Sequence, residues 1–218
     1  MATRQVLADV ARAWQQAGGE VGFESVGGVE AARRAQDGET FDVVVLDATA
    51  IDKLVAAGRI IGNSKTDLAR SAVAIAVRAG APRPAIDTQA ALREAVLSAR
   101  TIGYSTGPSG VALQKLFERW GLAQATSPRV VQAPAGVPVG TLIARGDVEL
   151  GFQQLSELMH LEGVDVIGPM PPGLEIVTTF SGGVCTQSTR ADAARALLEF
   201  IRSPAADEAK RRYGMQPA

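Results

Sequence analysis

Three stretches of the chain carry groups able to hold a small anion. They are Ser25-Val26-Gly27-Gly28, Ser105-Thr106-Gly107-Pro108-Ser109-Gly110 and Ala133-Pro134-Ala135-Gly136-Val137-Pro138-Val139-Gly140. Each follows an apolar run, is built of small residues and precedes a helical pattern. Thr3-Arg4 has the look of the tail of a fourth such loop. A helix start carries about half a positive charge and unpaired N–H groups. Glycine lets a ligand come close to the backbone. Several such starts turned toward one gap would grip an anion. Any one of these loops is also explained by turn chemistry, which needs Gly, Pro and Ser. Their recurrence carries the reading, and the 105–110 loop is the most specific, because Ser105 and Ser109 place short hydroxyl donors beside a helix start.

Charged and amide side chains extend the set. Arg4 sits in a first helical turn, where a cation is disfavoured by the helix dipole and an anionic ligand would offset that cost. Gln153 and Gln154 end an apolar strand, and an amide can read a ligand oxygen. Asp47 follows the apolar run 43–46 and either faces a ligand or caps the next helix. For proton transfer, Asp47 or Glu30 would have to serve as base. His160 lies near a helix end and reads as a surface residue, whereas Cys185 reads as inert core. Trp14 and Trp120 fall at helical spacing and read as core. One histidine and one cysteine exclude an internal disulfide and any Cys- or His-rich metal cluster. No metal and no cofactor is expected.

Elements must place these residues. The 218 residues are 46% hydrophobic and 21% charged, enough for a folded core. Lys+Arg is 22 against 23 Asp+Glu, a net charge of −1, so there is no electrostatic case for nucleic acid. No apolar run is long enough to span a bilayer, and the first residues lack a signal-peptide pattern. The chain as written is expected in the cytoplasm; with further residues ahead of Met1, the expectation becomes periplasmic.

Helical periodicity covers residues 3–16, 29–35, 50–57, 88–98, 110–120, 139–145, 155–160, 191–201 and 204–213. Extended patterns cover 20–25, 41–46, 71–77, 100–104, 129–132, 149–153, 164–168 and 174–187. The alternation predicts an α/β fold of mostly parallel sheets flanked by helices. Gly80-Ala81-Pro82-Arg83-Pro84 and Pro169-Met170-Pro171-Pro172-Gly173 break the chain twice. Two lobes are expected, the first from residues 1–80 plus 174–218 and the second, 81–173, inserted into it. The ligand would lie in the cleft between them.

The order of segments resembles the molybdate-binding branch of the type II periplasmic binding proteins. The resemblance covers most of the chain. It rests on Ala32-Arg33-Arg34-Ala35-Gln36-Asp37-Gly38 ahead of Phe41-Asp42-Val43-Val44-Val45, and on Ile51-Asp52-Lys53-Leu54-Val55-Ala56-Ala57-Gly58. It continues through Gly62-Asn63-Ser64 and Leu142-Ile143-Ala144-Arg145-Gly146-Asp147-Val148-Glu149-Leu150-Gly151, and ends in Arg202-Ser203-Pro204-Ala205-Ala206 and Arg212-Tyr213-Gly214-Met215. By position the resemblance puts ligand contacts at Gly27, Gly28, Ser109, Val137 and Gln154. The family's first-loop serine has no counterpart in Met1-Ala2-Thr3. Its second-loop serine is glycine here, and the tyrosine common at the last position is Gln154. The expected set is therefore Thr3, Arg4, Gly27, Gly28, Ser105, Ser109, Gly110, Val137 and Gln154, better suited to a carboxylate than to a tetrahedral oxyanion.

Gly151-Phe152-Gln153-Gln154-Leu155-Ser156-Glu157 with Gly168-Pro169 is similar to an aconitate-isomerase branch of the family. Three functions are thus expected in order: binding of a small organic acid, isomerisation of an unsaturated tricarboxylate such as aconitate, and binding of molybdate or another oxyanion for an ABC transporter. The expected partners are a small anionic ligand and, if the chain is exported, an ABC permease. Nucleic acid and membrane insertion are not expected. A sensing domain detached from a regulator is a blander reading, and no helix-turn-helix segment supports it.

Overall fold

A computed structural model describes residues 2–134 and 136–218. In chain order the elements are α1 (Arg4–Gln16), α2 (Gly28–Asp37), β1 (Val43–Asp47), α3 (Ala48–Ala56), β2 (Thr66–Arg78), α4 (Gln89–Ser98), β3 (Ile102–Tyr104), α5 (Pro108–Arg119) and α6 (Ala123–Thr126). They continue with β4 (Val130–Gln132), α7 (Val139–Arg145), β5 (Leu150–Gln154), α8 (Leu155–Leu158), β6 (Val164–Pro169), β7 (Val177–Val184), α9 (Ala191–Arg202), α10 (Asp207–Arg212) and β8 (Met215–Pro217). Two compact units result: Met1–Ser71 with Thr178–Ala218, and Ala72–Val177. Both proline-rich breaks fall within the second. Among the described residues, no helix is long and apolar enough to cross a membrane.

In the first unit, the apolar spacing of α1 turns Val6, Leu7 and Val10 inward. They meet Leu197, Leu198 and Ile201 of α9 and Met215 of β8 in one cluster. Trp14 stacks obliquely on Phe200, with ring centroids 5.1 Å apart. Both tryptophans thus pack as expected, since Trp120 lies against Phe117 at 6.2 Å in the second unit. Strand β7 lies between β1 and β2, and β8 pairs antiparallel with residues 69–71 of β2.

Helix α3 begins where the Asp47 carboxylate accepts the Ala50 N–H at 3.0 Å. Asp47 is therefore the cap. Asp47→Ala is expected to cost about 1 kcal/mol, read as a lower urea midpoint with ligand affinity unchanged. A fall in affinity at unchanged stability would return Asp47 to the binding residues.

In the second unit the strand order is β2-β5-β3-β4, with β6 also on β2. Strands β5, β3 and β4 are parallel, and Tyr104 stands opposite both Phe152 and Gln132. Gly103 faces Gly151 in that register. A Cβ on Gly103 would lie 2.7 Å from Val148, and one on Gly151 would lie 2.3 Å from Ile143 of α7. The paired glycines thus let α7 sit directly on this face of the sheet. The opposite face carries Phe152, which meets Phe117 of α5 edge-on at 6.1 Å.

Several expectations are corrected. Among the described residues, parallel pairing is seen for β3, β4 and β5. Strand β1, expected to be parallel, is antiparallel to β7, and β2 is antiparallel to β5, β6 and β8. An apolar run announces burial but not the direction of its neighbour. Residues 20–25 form no strand. Gln15 donates to the Val21 carbonyl at 3.1 Å and Arg34 pairs with Glu24 at 2.7 Å, so side chains hold this segment where a ladder was expected. The long strand 174–187 shortens to β7, and the last helix opens as a 3₁₀ turn at Pro204–Ala206 before α10. Strand β8 and helix α6 were not anticipated.

Candidate functional site

Parallel pairing brings the carboxyl ends of β3, β4 and β5 to one edge of the second unit's sheet. Gln153, Ser105 and Ala133 therefore follow one another along that edge. In open α/β sheets this is where ligands bind.

The 105–110 loop is the best-formed part. Ser105 Oγ lies 3.5 Å from Ser109 Oγ and accepts the Gly107 N–H at 3.3 Å. Gly107 caps α5, and Pro108 occupies its first turn, where its fixed φ suits the helix and its missing N–H is no loss. Val111 donates to the Gly107 carbonyl at 3.1 Å. The N–H groups of Ser109 and Gly110, second and third in the helix, have no helical carbonyl to meet. Gly110 is sterically required, because a Cβ there would lie 1.8 Å from the Ser105 carbonyl oxygen. Ser109 is buried. The loop thus offers two hydroxyls and two amides around the α5 start, a neutral donor set suited to a carboxylate.

The neighbouring strand ends are differently employed. Val137 donates its N–H to the Pro134 carbonyl at 3.0 Å and packs partly against the cluster beneath α7. Ala135, in the same expected loop, lies outside the described residues. The Gly140 N–H is donated to Gln153 Oε1 at 3.4 Å. Gln153 and Gln154 are both nearly fully buried. Strand alternation puts Gln154 on the α5 side with Phe152, and Gln153 on the α7 side.

Glu157 escaped the sequence reading. It lies in the first turn of α8 and is partly buried. Burial pushes its carboxyl above the ordinary carboxylate range. A signal was present: Glu157 follows directly on a strand buried at every residue.

Within the first unit, Thr3 precedes α1 and makes no side-chain cap bond. Arg4 is exposed in the first turn, which carries no acidic residue. Gly27 and Gly28 begin α2, and a Cβ on Gly28 would meet nothing within 4 Å. Glu30 already supplies a negative charge to that turn and is paired with Arg33 at 2.8 Å. The cations Arg83 and Arg100 are bound to Asp165 and Glu149, and Arg129 to the carbonyls of Val96, Leu97 and Ala99. His160 is exposed. Cys185 is buried, and burial with the nearby Asp42 charge pushes its thiol up to about 11, so it is inert at neutral pH as expected.

Comparison with known proteins places this geometry. Residues 1–216 match the family model described as bacterial extracellular solute-binding protein. An aconitate isomerase from Pseudomonas sp is 40% identical over 180 residues, spanning 82% of this chain and 68% of that protein. The molybdate-binding protein ModA of Azotobacter vinelandii is 26% identical over 185 residues, 82% of this chain and 72% of that one. Among solved structures, the periplasmic molybdate-binding protein of Azotobacter vinelandii superposes with a TM-score of 0.80 at 18% identity, covering 98% of this chain and 95% of that one. That likeness identifies the fold.

Proposed function

Because the chain belongs to the bacterial extracellular solute-binding proteins, we propose that it binds a small carboxylate anion. One observation carries the reading: Ser105 and Ser109 hold their hydroxyls together above the open α5 start, where neutral donors can meet carboxylate oxygens. The relative that is 40% identical is an aconitate isomerase, which favours an organic acid over a tetrahedral oxyanion. Gln154 and the α1 start with Thr3 and Arg4 extend the proposed ligand set, as do Gly27, Gly28, Gly110 and Val137. Export and a partnership with an ABC permease follow from the same reading.

A thermal-shift series with molybdate, sulfate, citrate, cis-aconitate and trans-aconitate tests it. A ligand at 100 times its Kd adds about 2.7 kcal/mol, or roughly 5–10 °C for a protein of this size. An organic acid should give that shift; a shift with molybdate alone overturns the reading. Ser105→Ala and Ser109→Ala should each weaken the responding acid by about 10–100-fold, the value of a hydrogen bond to a charged group, with the fold intact. Arg4→Ala tests separately whether the α1 start takes part.

A second reading has its own support. The 40% identical relative favours an isomerase that shifts a proton on an unsaturated tricarboxylate. Interconversion of the aconitates separates it from binding alone.

A further inference from the structure

A single exposed valine on a protein surface is ordinary. Two valines here are set apart by their place. Of the five large hydrophobic side chains exposed among the described residues, Val29 and Val111 each follow directly on a glycine of the proposed ligand set, Gly28 and Gly110. They are 63% and 46% exposed. Val111 is the better defined. The inward positions of α5 are taken by Leu113, Leu116 and Phe117, and Val111 lies outside the core cluster they join. A helical Cα–Cβ bond tilts toward the helix start, so a side chain covers the turn ahead of its own Cα, over the residue four earlier. For Val111 that residue is Gly107, whose carbonyl accepts the Val111 N–H at 3.1 Å. The Gly107 N–H is in turn donated to Ser105 Oγ at 3.3 Å. Gly107 has no side chain to come between. The Val111 methyls therefore flank the turn that presents Ser105, Ser109 and the open α5 amides. Those donors can take the oxygens of a carboxylate, whereas the valine offers no hydrogen bond to the carbons attached to it.

We infer that Val111 is a specificity-determining residue, which accepts a ligand whose carbons nearest the held carboxylate are unhydroxylated and disfavours the corresponding hydroxy acid. The inference rests on the carboxylate reading above. A methylene or alkenyl carbon laid on the valine takes apolar surface out of water, which favours binding. A hydroxyl brought to the same place leaves water and finds no partner, a loss of about 10–100-fold in affinity. The substrate class is then an unhydroxylated polycarboxylate, saturated or unsaturated, set apart from its hydroxylated counterpart.

Tricarballylate and citrate test this, because they share one skeleton and three carboxylates and differ by one hydroxyl. In citrate that hydroxyl sits on the first or second carbon from every carboxylate, so it stays near the valine whichever carboxylate is held. Affinities are taken from the ligand dependence of the melting temperature of the whole chain. The parent should bind tricarballylate at least about tenfold more tightly than citrate. Val111→Thr keeps the branched shape and supplies a hydroxyl, and should bring that ratio to within about threefold, chiefly by tighter citrate binding. Val111→Ala should weaken tricarballylate by about fourfold without helping citrate, which separates lost cover from a gained partner. Since Val111 is exposed, both variants should melt within about 2 °C of the parent when unliganded. A parent that prefers citrate, or an unchanged ratio in Val111→Thr, overturns the inference and leaves the carboxylate reading standing. If neither acid raises the melting temperature, the inference fails, and the carboxylate reading is decided by the aconitates in the series above.

Discussion

Replacing Gly110 with alanine is expected to destabilise the protein by about 3 kcal/mol or more, the upper end of overpacking costs, and to abolish ligand binding. The cause is local and backbone-to-backbone. The new Cβ would lie 1.8 Å from the Ser105 carbonyl oxygen, 2.9 Å from its carbon and 3.2 Å from the Tyr104 ring. No rotamer relieves a clash with main chain. The loop must move, and with it the Ser105 and Ser109 hydroxyls now 3.5 Å apart. Gly22→Ala is the matched control, since its Cβ meets nothing within 4 Å and both the fold and binding should tolerate it. Urea denaturation and ligand-induced melting shifts measure both. A Gly110→Ala protein with parental stability and affinity would show that the α5 start is not the gripping element.

The second large effect is expected in the first unit, at α10. The side chain of Lys210 is wholly buried and donates to Asp207 at 3.1 Å. Asp207→Ala would strand an ammonium ion in the interior, at a cost of about 3–5 kcal/mol. By contrast, Arg211 also reaches Asp207 at 3.5 Å but is 65% exposed, so Arg211→Ala should change stability by less than about 0.5 kcal/mol. Lys210→Met removes the charge while keeping the volume, and combined with Asp207→Ala it should restore most of the loss. If Asp207→Ala alone costs less than about 1 kcal/mol, Lys210 is not held charged in the folded state.

The parts of the fold that could be read in advance are those encoded by near neighbours. Helix α7 occupies the residues expected of it, because apolar spacing, a preceding proline and Gly146 in the left-handed region lie within ten residues. The 105–110 loop was legible for the same reason, as its turn, cap and hydroxyls are contiguous. The 20–25 segment misled because alternation describes a strand's faces without guaranteeing a partner. The bond from the Gly140 N–H to Gln153 was not legible, because it joins residues thirteen positions apart that only folding brings together.

From composition, periodicity and turn chemistry alone came the α/β class, most helices and the loop that gathers Ser105 and Ser109. Each of these depends on residues within a turn or two of each other, where propensity and steric exclusion act. Strand direction, the pairing of Gly103 with Gly151 beneath α7 and the bond from the Gly140 N–H to Gln153 were decided only in the folded chain. They join residues distant in sequence, and which distant backbone or amide completes a hydrogen bond is chosen by packing of the whole unit rather than by any local pattern.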